Sequence, residues 1–149
     1  MKRLTQTIVA TLIGLAVPVA ALQAADAGKP VTMTPEQMTW VPNPANPAVS
    51  MAVTSGDPNT GPFRAFHKFA AGFTAPLHTH TANTQIVVIK GTMAMVGADG
   101  KEMKFPPGSF YTQPNTYPHV TKCLGPSECL VYMVADAKWD LKPVEAKKK

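Results

Sequence analysis

Cysteine is scarce in this 149-residue sequence: Cys123 and Cys129 are the two in the chain, so no cysteine stands near the N-terminus to carry a lipid anchor. No apolar run reaches the ~20 residues that span a bilayer as a helix. The longest, Ile8 to Leu22, is about 15 residues and is interrupted by Pro18. It follows Lys2 and Arg3 and precedes the small residues Ala24, Ala25 and Ala27, the layout of a secretory signal peptide rather than of a membrane anchor. Cleavage is expected after Ala24, with Ala27 as the second choice. The chain also lacks a Ser–His–Asp arrangement, a phosphate-cradling glycine loop and a carboxylate pair at catalytic spacing; Glu102, Glu128 and Asp136 stand alone. Hydrolase and phosphotransfer chemistry have no support.

Charge of either sign is modest. Without Lys2 and Arg3, 12 basic residues face 9 acidic ones, a net charge of +3, and three of those lysines are the tail Lys147–Lys149. The remainder is nearly neutral, so the high pI is not a nucleic-acid footprint and no nucleic-acid partner is expected. The chain therefore divides into a signal peptide (1–24), an N-terminal arm (25–38), a folded body (39–143) and a basic tail (144–149), and the mature protein is expected in the periplasm or medium with no stable membrane anchor. Two cysteines in an exported chain predict a disulfide, here Cys123–Cys129 across the turn Leu-Gly-Pro-Ser-Glu; reduced, buried thiols are the alternative.

What the sequence has in excess is proline, 15 residues, about twice the usual share. Their spacing after residue 40 leaves no room for a long helix. Between them lie short stretches rich in Val, Ile, Thr, Phe and Tyr, which predict strands at 49–53, 62–70, 84–90, 92–97, 102–105, 109–113, 118–123 and 128–134. Turn residues separate them, with Asp99-Gly100 the strongest hairpin signal. Eight short strands at this spacing predict an all-β antiparallel sandwich or barrel. Thr34-Pro35-Glu36-Gln37 predicts one helical turn before Trp40.

Three of the four histidines carry the chemistry. In His78-Thr79-His80 the two imidazoles share one face of a strand, because side chains alternate. His119, on a later strand, supplies a third nitrogen. The surrounding spacing, Gly72-x5-His78-x-His80 with Gly91 following, then Gly108-x5-Pro114 with His119 and Cys123, resembles the two motifs of the cupin superfamily, and in particular a poorly characterised branch of small exported cupins. The resemblance implies a single-domain double-stranded β-helix (jelly-roll) barrel with His78, His80 and His119 as metal ligands. The family's metal-binding glutamate falls at Thr84 or Gln85, and its glycine and asparagine at Thr116 and Cys123, so the carboxylate does not carry over.

Three neutral imidazoles leave a divalent ion's charge uncompensated, so an anionic fourth ligand is expected. The ion could be iron, zinc, nickel, manganese or copper, since ligand type does not choose among them. The resemblance implies a small-molecule ligand and, if the protein is an enzyme, dioxygenase or isomerase chemistry; a binding or sensing barrel without metal is the alternative. Thr84, Gln85 and Tyr111 are the candidate cavity residues, with Tyr132 a second candidate hydroxyl. His67 could line the cavity but reads first as an ordinary partly buried histidine, and Met93, Met95, Met103 and Met133 read as core. Exposed sheet edges predict a homodimer, with the arm and the Pro-rich segment 41–62 as candidates for exchange.

Overall fold

The computed structural model describes residues 30–145, so the expected signal peptide (1–24), residues 25–29 of the expected arm and most of the basic tail lie outside the described residues. The body contains eleven strands: β1 Val41–Asn43, β2 Asn46–Gly56, β3 Phe63–Phe69, β4 His78–Thr79, β5 Thr84–Lys90, β6 Thr92–Gly97, β7 Glu102–Phe105, β8 Phe110–Gln113, β9 His119–Leu124, β10 Cys129–Ala135 and β11 Lys142–Pro143. They form two antiparallel sheets, one of six strands in the order β1-β2-β3-β10-β5-β8 and one of five in the order β11-β4-β9-β6-β7. Before them, Pro35–Gln37 makes a single 3-10 turn, with the Thr34 N–H donating to Gln37 Oε1 at 2.8 Å.

Every predicted strand is present. The additions are the short β1, β4 and β11. Val41-Pro42-Asn43 forms a strand in spite of its proline because β1 is the outermost strand of its sheet, where a missing N–H costs least. It folds back on β2 of its own chain, pairing Pro42 with Ser50.

Alternation within the strands sets the interior. In β3, Phe63, Ala65, His67 and Phe69 point inward; in β10, Cys129, Val131, Met133 and Ala135 do the same. Thr84, Ile86 and Val88 are the inward set of β5, and Gln85, Val87 and Ile89 face out. The apolar members of these sets, with Met93 and Cys123 of the facing sheet, make the core. Cys123 and Cys129 are joined in a disulfide with Cα atoms 5.8 Å apart, tying the end of β9 to the start of β10. Gly91 lies against that link: its φ is +72°, and a Cβ there would meet Glu128 O at 2.7 Å and Cys129 Sγ at 2.8 Å. The Tyr117–Pro118 bond is trans; the one cis peptide among the described residues is Gly125–Pro126.

Candidate metal centre

His78 and His119 are direct partners across the β4–β9 pair, and His80 follows two residues after His78 on the same face. All three are buried, at 2%, 0% and 5% exposure. Their ring centroids lie 4.4 to 5.3 Å apart, and one ligand nitrogen from each falls within 4.8 Å of the others. His78 Nε2 and His80 Nε2 are 3.1 Å apart. Metal–nitrogen bonds of about 2.0–2.1 Å at a tetrahedral angle would hold two nitrogens about 3.3 Å apart.

The remaining nitrogen of each ring is committed to a backbone carbonyl. His78 Nδ1 bonds Pro76 O at 2.7 Å, His119 Nδ1 bonds Tyr117 O at 2.8 Å, and His80 Nδ1 bonds Asp140 O at 2.5 Å. A carbonyl only accepts, so each Nδ1 carries the proton and donates, and each Nε2 presents its lone pair. His119 Nε2 is buried with no other partner. Burial holds all three rings below the ordinary imidazole pKa against the opposing pull of the carbonyls, and each ring's neighbouring histidine adds to the lowering. They are neutral at pH 7, the state a metal ligand requires. The donor set fits a divalent cation.

Two residues fix His80. Trp139 stacks on its ring at 4.3 Å between centroids, and Asp140, besides offering its carbonyl, accepts hydrogen bonds from the Thr81 N–H and hydroxyl through its carboxylate. The Trp139 backbone N–H in turn donates to Pro58 O at 2.7 Å. Neither Trp139 nor Asp140 was marked by sequence reasoning, since no spacing rule links them to a histidine 59 or 60 residues earlier.

His78 and His80 border a cavity of about 80 Å³ between the sheets, walled by Ile86, Met93, Val131 and Met133. Of the candidate cavity residues, Tyr111 lines it, stacked on Phe105 at 4.0 Å, and burial pushes its hydroxyl pKa up. Tyr132 instead packs on Phe66 and reaches Thr54 on the outer side. Gln85 faces outward and is exposed, away from this cavity. Thr84 points inward, but its hydroxyl is taken up by Gln113, and Gln113 rather than Thr84 reaches the cavity. Gln113 was legible in principle: it shares a face of β8 with Tyr111 and pairs with Thr84. Met93 and Met95 are core, the latter receiving the Gln113 amide on its sulfur at 3.5 Å. Of the two readings of His67 the cavity-lining one holds: it is fully buried and lines the cavity.

The profile of DUF4437, a domain of unknown function, matches residues 31–149. The chain belongs to the DUF4437 family. No curated protein sequence matches this DUF4437 chain. Solved structures do. The polyketide cyclase RemF from Streptomyces resistomycificus aligns at a TM-score of 0.64 and 17% identity, covering 78% of this chain and 87% of its own. An RmlC-like cupin protein from Ralstonia eutropha JMP134 aligns at 0.63 and 17%, covering 81% and 76%. The DMSP lyase DddQ from Ruegeria pomeroyi DSS-3 aligns at 0.60 and 12%, covering 76% and 64%. At these identities the likeness is one of fold, and the DUF4437 chain has the cupin fold.

Proposed function

We propose that this protein is an exported, metal-dependent cupin that binds or transforms a small, anionic organic molecule. The observation that carries the reading is the convergence of three Nε2 lone pairs whose rings are locked in one tautomer by the carbonyls of Pro76, Tyr117 and Asp140. His78, His80 and His119 would hold the ion, which supplies Lewis acidity or oxygen activation when bound. Because all three ligands are neutral, the site keeps its positive charge and favours a carboxylate, enolate, catecholate or hydroxide. The apolar wall of Ile86, Met93, Val131 and Met133 excludes water and strengthens that attraction. That a polyketide cyclase and a DMSP lyase share the fold supports a small organic ligand.

Elemental analysis of protein purified from the periplasm tests the reading. A stoichiometric divalent metal is expected, and His80→Ala should lose it while keeping a β-type circular dichroism spectrum. Equal metal in both proteins would sink the idea.

A second reading, a carrier or sensor without turnover, is favoured by one observation: among the described residues lining the cavity none is a carboxylate. Gln113 and Tyr111 are poor proton carriers at neutral pH, and the raised Tyr111 pKa makes it poorer. Ligand binding without product would select this reading.

Export and assembly belong to the same proposal. The Cys123–Cys129 disulfide suits an oxidising compartment, and N-terminal sequencing of the mature protein should begin at Ala25. Val87 and Ile89 of β5 and Phe110 of the edge strand β8 are 40%, 44% and 62% exposed on the outer face of the six-stranded sheet, and support a homodimer. Light scattering at micromolar concentration should give twice the chain mass; a monomer would contradict it.

A further inference from the structure

Among the described residues, three buried side-chain nitrogens lack any hydrogen-bond partner: His119 Nε2 and both ring nitrogens of His67. The three-histidine site accounts for the first. Nothing in the fold accounts for the other two. His67 sits in the middle of β3, between Met51 of β2 and Val131 of β10, facing inward with no exposed surface. Phe69 stacks on it at 6.2 Å, and the rings of Trp139 and Phe63 lie at 5.5 and 6.5 Å; none gives the imidazole a donor or an acceptor. Burying a hydrogen-bonding ring without partners opposes folding, and an aliphatic or phenyl side chain would occupy this place without that penalty. The imidazole is held at the expense of stability.

Its position says what it serves. The inner cavity is about 80 Å³, whereas ligand sites commonly enclose several hundred. Outside it lies an open groove of about 560 Å³, bordered by the β1–β2 hairpin and the turn at Asp57–Asn59. Asn43, Val49, His67 and Trp139 border both spaces and form the neck between them. A molecule too large for the inner cavity, with its anionic end at the three histidines, would extend toward the groove past these residues.

We propose, on the basis of the metal-dependent reading above, that His67 is a ligand-binding residue at the neck of the site. The ligand it serves carries, besides an anionic end, a separate neutral hydroxyl or carbonyl group that hydrogen-bonds to this ring. Burial keeps the imidazole neutral at pH 7, with one nitrogen donating and the other accepting, so it can meet a hydroxyl in either sense or a carbonyl. The aromatic neck favours a flat body between the two polar ends. Metal attraction alone would admit any small anion; His67 selects those with the second group.

The test uses the full mature chain loaded with Co(II), with benzoate, 3-hydroxybenzoate and 4-hydroxybenzoate as probes and calorimetry as the readout. At least one hydroxybenzoate should bind wild type about fivefold or more tighter than benzoate, the scale of one hydrogen bond. His67→Leu and His67→Phe should erase that preference, leave Co(II) affinity in place and raise the melting temperature of the probe-free protein. Two variants guard against one of them packing badly. A wild type without preference for either hydroxybenzoate overturns the inference, as does a preference surviving in both variants. A fall in melting temperature in both variants also overturns it, since His67 would then be a packing residue. Absence of Co(II) binding by wild type, read from the visible spectrum before any probe is added, strikes the metal reading and this inference with it.

Discussion

The Thr84 hydroxyl donates to Gln113 Oε1 at 3.2 Å across the antiparallel pair of β5 and β8, and the Gln113 amide turns on to Met95 Sδ. A short neutral chain thus occupies the place where the cupin motif puts its metal-binding carboxylate. Thr84→Glu returns a negative ligand to that motif position. It is expected to tighten divalent metal binding by about tenfold, or about 1.4 kcal/mol, and to weaken binding of a carboxylate probe. Without metal the buried carboxylate has no cationic partner, so the metal-free variant should melt lower than wild type and recover on metal addition. Gln85→Glu, pointing to solvent, should change neither quantity. Calorimetric titration of both variants decides, and an effect of Gln85→Glu alone would mean that β5 is one residue out of register.

The stacking of Trp139 on His80 provides an optical reporter. The chain has two tryptophans, Trp40 and Trp139, and Trp40 lies under the Lys68 ammonium instead. Adding Co(II) or Cu(II) should quench emission in wild type and in Trp40→Phe. Trp139→Phe should show little quenching. Quenching retained in Trp139→Phe would place the metal elsewhere.

Acid should destabilise the metal-free protein through His67. Burial, and then the charge of His80, hold its pKa down to about 4, against about 6.5 when unfolded. The folded state binds fewer protons than the unfolded one between those values, so stability is full above pH 6.5 and falls as pH drops toward 4. From pH 8 to pH 5 the loss is about 2 kcal/mol from this ring alone. Urea titrations of chelator-treated protein should show it, and His67→Leu should flatten the profile by about that amount. An unchanged slope in the variant would mean that other groups dominate.

Alkylation without reduction should label neither Cys123 nor Cys129, since the two are bonded to each other. Replacing both with serine opens a loop with a sequence separation of 6, and should cost about 2 kcal/mol in urea unfolding. Two labelled thiols in freshly isolated protein would refute the bond.

Much of the fold follows from the sequence because its signals are local. Alternation in Thr84–Lys90 and Phe63–Phe69 depends only on period two, and Asp99-Gly100 or Pro107-Gly108 can end a strand without help from elsewhere. The histidine triad was legible for the same reason on one side, His78 and His80 sharing a face, and through motif spacing on the other, His119.

Hydrophobic pattern alone does not decide the face of β5, since Thr84, Ile86 and Val88 are as apolar a set as Gln85, Val87 and Ile89; the six-residue motif count to Gly91 favours Thr84 inward. Sheet packing chose the first set by laying it against β8 and β10 under the facing sheet. Trp139 and Asp140 meet His80 because the chain after β10 returns across the mouth of the barrel, a contact that no periodicity encodes. His67 shows the division most clearly. Its place on the inner face of β3 is a matter of alternation, fixed by the sequence. That both its nitrogens are buried without a partner, at the junction of cavity and groove, depends on Phe69, Phe63 and Trp139 closing around it, and only the assembled sheets bring them there.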